Sequence, residues 1–373
     1  MYNNGKCNSV QFGSVGYIKK IYKDKYQVDL TSLFTRKRKS GFILRNELFW
    51  GNLDSHIGSG EKYLATGDIV YISNDLLINK IGNVSSNDTS ILITNRCNQD
   101  CIMCAQGGND DNKNDSVTNE ICSIVAEIYL KKKVPIIGIS GGEPSLCLNQ
   151  INQLLAKCSK GKFSPAIEIL SNSALFENED SVKNLEKIKN MSFHIPLYSD
   201  SERIHNAIVR RKHFYKTIKG IYNLAKYRYA IEIRNVIMKC NYERLPNWAE
   251  FISHNFPFVC HVAIMGLEPM GNALSNIKKI WIEPAETINE LSSAIQILNR
   301  AQINVSVYNY PLCLLPPKLR DYYAPSISDW KRLYINECHK CQKKNICCGI
   351  FISQEKYHSK FIKPIIGEYI EDL

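Results

Sequence analysis

Three cysteines, Cys97, Cys101 and Cys104, lie within eight residues of the run ILITNRCNQDCIMCAQGG. Thiolates bind soft or borderline metals, so this spacing points to zinc or to the irons of an iron–sulfur cluster. Structural zinc takes four protein ligands, and three would leave its shell incomplete. A four-iron cube on three thiolates keeps one iron open, able to chelate a substrate or cofactor. The run GISGGEP supplies what a chelating partner would need beside it. Gly141 and Gly142 let the main chain come close without a Cβ in the way. Glu143 offers a carboxylate to an ammonium group, and Pro144 stiffens the exit from the turn.

A second thiol group lies near the end of the chain. ECHKCQKKNICCG carries Cys338, Cys341 and Cys347, and YPLCLLPP adds Cys313 upstream. Four thiolates can close a cube or a zinc tetrahedron. Cys348 is a substitute ligand in either case. The remaining six cysteines, Cys7, Cys122, Cys147, Cys158, Cys240 and Cys260, are scattered and read as small apolar packing residues.

The elements that must position these groups alternate. Strand-like runs fall at 90–94, 134–140, 166–170, 192–198, 230–238 and 259–265, with helix-like runs at 119–132, 148–160, 181–190, 215–227, 245–256 and 285–300. In the second helix Ile151, Leu154, Leu155 and Cys158 recur at steps of three and four, giving one apolar face. Six alternations predict parallel strands with right-handed crossovers, an α/β partial (β/α)6 TIM-type barrel. Ligands in such folds gather at the C-terminal ends of the strands. The three-cysteine loop follows the first strand, SGGEPS the second, SNS the third and YSDS the fourth.

The predicted organisation is a small β-rich domain over 1–86, the partial barrel over 87–302 and a Cys-rich region over 303–373. YQVDLTS, GFILRN and DIVYISN read as strands of the first, and the basic run TRKRKS as a solvated turn. Another strand-like run, INVSVYNY, opens the last region. The hydrophobic fraction of 44% excludes a disordered chain. No apolar run reaches the roughly 20 residues that span a bilayer, and the first residues lack a signal-peptide core. A cytoplasmic protein without a membrane partner is expected, and thiols clustered in that compartment serve metals or catalysis. The net charge of +11 allows a nucleic-acid or acidic-peptide partner, but no aromatic-basic stacking platform accompanies it, so no nucleic-acid partner is expected.

CNQDCIMC together with GGEP resembles the radical S-adenosylmethionine (SAM) enzymes. The resemblance implies a [4Fe–4S] cluster on Cys97, Cys101 and Cys104, with SAM on the fourth iron, cleaved reductively to a 5′-deoxyadenosyl radical. It implies that Gly141, Gly142, Glu143 and Pro144 meet the methionyl amine. Asn172 and Ser199 resemble contacts to the ribose and methionyl end, Arg234 a contact to the carboxylate, and Gly266, with Glu268, part of the wall along the adenine. Met103 departs from the aromatic usual in the cysteine loop. CX2CX5C resembles part of the auxiliary-cluster domain of peptide-modifying members. That favours a single auxiliary [4Fe–4S] cluster on Cys313, Cys338, Cys341 and Cys347 over zinc.

IPLYSD, HVAIMGLEPMG, YNYPLCLLP and SISDWKRLY, followed by CHKC, resemble the C-type radical SAM maturases of the His-Xaa-Ser system. Cys348 departs from the glycine usual after the last ligand. The implied function is post-translational modification of a precursor peptide with His-Xaa-Ser repeats. The implied partners are a second radical SAM enzyme and an external electron donor. The alternatives are a radical SAM enzyme acting on a nucleoside or tRNA, and a non-catalytic iron–sulfur or zinc protein that docks a peptide for a sister enzyme.

Overall fold

The computed structural model describes residues 14–21, 25–32, 38–44, 49–50, 66–72, 77–86, 89–106, 119–160 and 163–367. The N-terminal strands are β1 (Ser14–Ile21), β2 (Lys25–Ser32), β3 (Arg38–Leu44), β4 (Phe49–Trp50), β5 (Asp68–Ile72) and β6 (Leu77–Asn83). They form a six-stranded sheet in the order β3-β2-β1-β5-β6-β4, antiparallel except where β4 meets β6. Arg38, Lys39 and Ser40 belong to β3, so that half of the basic run is strand and not turn. Its first half, Thr35 to Lys37, lies outside the described residues, as does Cys7.

The second sheet is an eight-stranded parallel one. Its strands are β7 (Ser90–Leu92), β8 (Ile136–Ser140), β9 (Ala166–Leu170), β10 (Met191–Pro196), β11 (Ala230–Val236), β12 (His261–Met265), β13 (Val305–Tyr308) and β14 (Tyr323–Ala324), paired in sequence order. All six strands expected from periodicity are present. Two more extend the sheet, because β13 pairs in parallel with β12, and β14 with β13. The sheet thus continues past residue 302.

The chain falls into two compact units, one of residues 1–95, 114–168 and 186–190, the other of 96–113, 169–185 and 191–373. In the first, α1 (Asn119–Lys131) and α2 (Leu148–Ser159) lie on the expected segments. Ile151, Leu154, Leu155 and Cys158 are all buried, as the three-and-four spacing required. Tyr129 of α1 is buried against Gly82 of β6, where a Cβ would stand 2.5 Å from the phenol oxygen.

In the second unit the helices are α3 (Glu179–Lys183), α4 (Glu202–Val209), α5 (Phe214–Lys226), α6 (Leu245–Asn255), α7 (Asn272–Ser275), α8 (Ile277–Ile280) and α9 (Ile288–Arg300). The helix expected over 181–190 stops at Lys183, where the Asn184 N–H caps back onto Asp180 and Val182. Helix α4 carried no expectation; its eight residues follow YSDS directly. On β10 to β13 alternate residues divide cleanly between faces. Phe193, Ile195, Ile231, Ile233, Val262, Ile264 and Val307 are fully buried in the apolar layer, where Phe193 meets Phe176 edge-on at 5.4 Å. Ser192, His194, Glu232, Arg234, His261 and Ser306 occupy the other face.

Candidate active site

The three-cysteine loop is tied to its surroundings by main-chain and asparagine hydrogen bonds. Asp100 N–H donates to Val209 O at 3.1 Å and Ile102 N–H to Ile208 O at 2.9 Å, docking the loop on the end of α4. Arg210 Nη1 reaches Asp100 Oδ2 at 3.0 Å. From the other side, Asn276 Nδ2 donates to Ile102 O at 3.1 Å, and Asn272 binds the loop through its side chain and its main-chain N–H. Gly271 has φ +57°, and a Cβ there would meet Ala105 O at 2.4 Å and Cys104 O at 2.7 Å. These clamps were missed in the sequence. Gly271 closes the string HVAIMGLEPMG, and the Gly-Asn pair opening a helix was the available signal.

The clamps gather the thiols. Gln99 N–H points at Cys97 Sγ at 3.4 Å, and Cys101 Sγ donates to Gln99 Oε1 at 3.4 Å. Burial, then the neighbouring Cys104 and Cys97 thiols and Asp100, push the Cys101 thiol well above its ordinary pKa. Tyr198 is raised likewise, by burial and then by the same three cysteines. Sulfurs this close that resist ionisation suit a cationic group, whose positive charge would remove the mutual repulsion. The donor set fits an iron–sulfur cluster.

GGEP sits in the first unit. Gly141 has φ +143°, and a Cβ there would stand 2.4 Å from Thr94 O. Gly142 N–H donates to Thr94 O at 2.8 Å. Glu143 is buried, and one carboxylate oxygen accepts from Ser145 N–H at 3.0 Å, capping the 3₁₀ turn that Pro144 begins.

The four polar candidates are held by neighbours. Asn172 donates to Asn98 Oδ1 at 2.7 Å and accepts from Ala174 N–H at 3.0 Å. Ser199 Oγ accepts from Ser201 N–H at 3.1 Å, in the turn that starts α4. Arg234 donates through Nε to Glu232 at 2.5 Å and through Nη2 to His194. Gly266 leaves 2.7 Å between a would-be Cβ and Asn309 O, and Glu268 pairs with Lys331 at 3.2 Å. Met103 is buried with Tyr198, Met238 and Leu267.

The second thiol group lies in the second unit. Cys313, Cys338, Cys341 and Cys347 are half-buried. Burial raises the Cys313 thiol to about 11, with further upward pushes from Cys347, Cys338 and Cys341, so the four share one neighbourhood. Cys347 Sγ accepts from Leu312 and Gly349 N–H groups, and Cys341 Sγ from Ile365 N–H. Cys348 packs with Ile327 and Phe351, its thiol donates to Tyr310 O at 3.4 Å, and it also lies within hydrogen-bond reach of the Cys347 thiol, which that contact lowers to about 6. Among the described residues no three His, Cys, Asp or Glu side chains converge on the position of a single metal ion. Of the scattered cysteines, Cys122, Cys147 and Cys158 are buried as packing residues, whereas Cys240 and Cys260 are exposed. Among the described residues no helix is long and apolar enough to cross a membrane.

The segment bearing the cysteine loop, GGEP, Asn172, Ser199 and Arg234 is the one that matches a known family. Residues 91–252 match the Radical SAM superfamily. An uncharacterized protein of Methanocaldococcus jannaschii is 28% identical over 171 residues, covering 44% of this chain and 57% of that protein. A probable GTP 3',8-cyclase of the same organism is 27% identical over 165 residues, covering 43% and 53%. The chain thus spans little more than half the length of the curated relatives it matches. The crystal structure of Streptococcus suis SuiB bound to precursor peptide SuiA aligns with TM-score 0.48 and 17% identity, over 59% of this chain and 47% of that one. The radical SAM match begins in β7 and ends in α6, so it takes in both cysteine loop and GGEP but not the second thiol group.

Proposed function

We propose that this chain is a radical SAM enzyme that modifies a peptide carrying His-Xaa-Ser repeats. The observation that carries the reading is the clamped loop of Cys97, Cys101 and Cys104 at the end of β7, inside the segment matching the superfamily. When bound, the cluster and SAM would supply a 5′-deoxyadenosyl radical for hydrogen abstraction. The chain's own contribution is positional. Cys97, Cys101 and Cys104 would hold the cluster, and Gly141 and Gly142, with no Cβ, would admit the methionyl end close to the main chain. Glu143, Pro144, Asn172, Ser199, Arg234 and Gly266 would line the same cofactor. Arg234 and Ser199 would each do so with a side chain already engaged by a neighbour.

Cys313, Cys338, Cys341 and Cys347 would hold an auxiliary [4Fe–4S] cluster. Thiolates of a cube bind separate irons, so they need not converge on one point as the ligands of one zinc must. The cytoplasmic location, an external electron donor and a second radical SAM enzyme complete the reading.

The test is anaerobic reconstitution followed by dithionite and SAM, with 5′-deoxyadenosine measured, and then co-expression with the repeat peptide and mass analysis. Absence of 5′-deoxyadenosine would leave only a peptide-docking metal protein. A nucleotide substrate is the second reading, favoured by the relative named a probable GTP 3',8-cyclase and by the net charge of +11. A mass change on GTP and none on the peptide would establish it.

A further inference from the structure

On the face of β10 to β13 away from the apolar layer, a continuous polar row crosses four neighbouring strands. Glu232 lies opposite His194 on one side and His261 on the other, and Arg234 lies opposite Ala263. Glu232 Oε2 binds His261 Nδ1 at 2.7 Å, and His261 Nε2 meets Ser306 Oγ at 2.9 Å. Glu232 Oε1 accepts from Arg234 Nε, whose Nη2 donates to His194 Nδ1. His194 Nε2 meets Ser192 Oγ at 3.1 Å.

The proton positions follow from what each group can do. Burial drives the Glu232 carboxyl up, but the His261 hydrogen bond and then the Arg234 charge outweigh it, holding it at about 2. An ionised carboxylate only accepts, so His261 Nδ1 carries a proton. His261 Nε2 faces the Ser306 hydroxyl. Arginine only donates, so His194 Nδ1 accepts and its proton sits on Nε2, toward Ser192. Burial, then Arg234, lowers His194 to about 4, which keeps it neutral. The two histidines of the row thus use Nδ1 oppositely: His261 donates through it to a carboxylate, and His194 accepts through it from a guanidinium. Carboxylate, imidazole and hydroxyl in that order are the parts of a proton relay, known by geometry and not by position in the chain. The side chains of Arg234 and His261 keep 22% and 21% of their surface exposed.

We propose that Glu232, His261 and Ser306 form a proton-accepting site for a substrate with an acidic O–H or N–H. The substrate proton passes to Ser306 Oγ as the Ser306 proton passes to His261 Nε2. One X–H bond breaks and one N–H bond forms. The imidazolium is balanced by Glu232, the substrate atom keeps the electron pair, and nothing is oxidised or reduced. His261 and Ser306 act on the proton; Glu232 is a positioning residue. The use of the site on a peptide rests on the radical SAM reading above, whereas its protonation pattern does not.

Two measurements on the full chain test it. The first is nitrogen NMR of the apo protein labelled with [15N]histidine, assigned with His261→Gln. His261 is expected as the Nδ1–H tautomer with bare Nε2 near neutral pH, and an Nε2–H tautomer or an imidazolium overturns the proposal. The second is modified His-Xaa-Ser peptide formed per 5′-deoxyadenosine released in the reconstituted enzyme. Ser306→Ala and His261→Gln should lower that ratio about 100-fold, with recovery in Ser306→Thr. A purely structural role would lower both products and leave the ratio intact, which overturns the proposal. If the unaltered enzyme releases no 5′-deoxyadenosine, the radical SAM reading fails and the tautomer alone decides this one.

Discussion

The side-chain amide of Asn272 donates to the main-chain carbonyl of Cys101 at 3.0 Å. Its own main-chain N–H donates to Cys104 O at 2.9 Å. One residue at the start of α7 therefore fixes two of the three thiol-bearing positions, across 171 residues of sequence. The loop's shape is a long-range property, written as much in Gly271-Asn272 as in the cysteines.

Gly271→Ala should therefore damage the cluster site without touching a thiol. The new Cβ meets two carbonyl oxygens, at 2.4 and 2.7 Å, in a left-handed conformation that alanine resists. A cost of about 2 kcal/mol or more is expected. Iron content after anaerobic reconstitution should fall, while Asn272→Ala gives a smaller loss. Unchanged iron in Gly271→Ala would show that the loop does not depend on this close approach.

Cys101→Ala should abolish SAM cleavage and lose the first cluster, and Cys341→Ala should keep the first and lose the second. Unaltered protein should bind about eight irons per chain, as two four-iron cubes. A count of about four would refute the second cluster. A count of four irons with one zinc would assign that site to a single ion.

Cys348→Ala separates ligand from neighbour. Its thiol is buried beside Ile327 and Phe351 and touches the Cys347 thiol, whereas Cys313 and Cys338 pack with Leu314 and Ile350. The variant should retain all its iron and lose about 1–2 kcal/mol of stability, the usual result of a small buried deletion. Loss of half the iron would make Cys348 a ligand.

The cysteine spacing and the strand–helix alternation were legible because each is a local pattern. Strands at 166–170 and 230–236 appear where periodicity put them, and the apolar face of α2 is buried residue for residue. Strand β13 was seen but assigned to the tail, since nothing local tells a strand which sheet it will join. Helix α4 was missed because ERIHNAIV is short and holds only three buried residues, His205 among them. The polar row was invisible for a related reason. Glu232, His261 and Ser306 stand far apart in sequence, and only the parallel register brings them side by side. Arg234 was read as a ligand contact from its strand position, without the Glu232 carboxylate that its Nε engages.

The buried histidines make stability depend on pH in a definite direction. Burial, then Arg234, lowers His194 from 6.5 to about 4; burial, then His213, does the same for His205. Below pH 6.5 the unfolded chain takes up protons that the folded chain refuses, so the unfolded state gains. Each histidine contributes stability that is present above its unfolded pKa and is lost as pH falls through the folded one. The loss is on the order of 3 kcal/mol per histidine between pH 6.5 and 4. Glu232, held at about 2, adds a further loss below pH 4.5, as its carboxyl protonates more readily in the unfolded chain. Urea midpoints of the apo protein should therefore fall steeply from pH 6.5 to 4. His194→Gln removes one titrating group and should shallow that fall by about half, at the expense of a lower plateau, because the amide meets Arg234 and Ser192 less well. An equally steep fall in the variant would mean that His194 is not the buried neutral base its surroundings require.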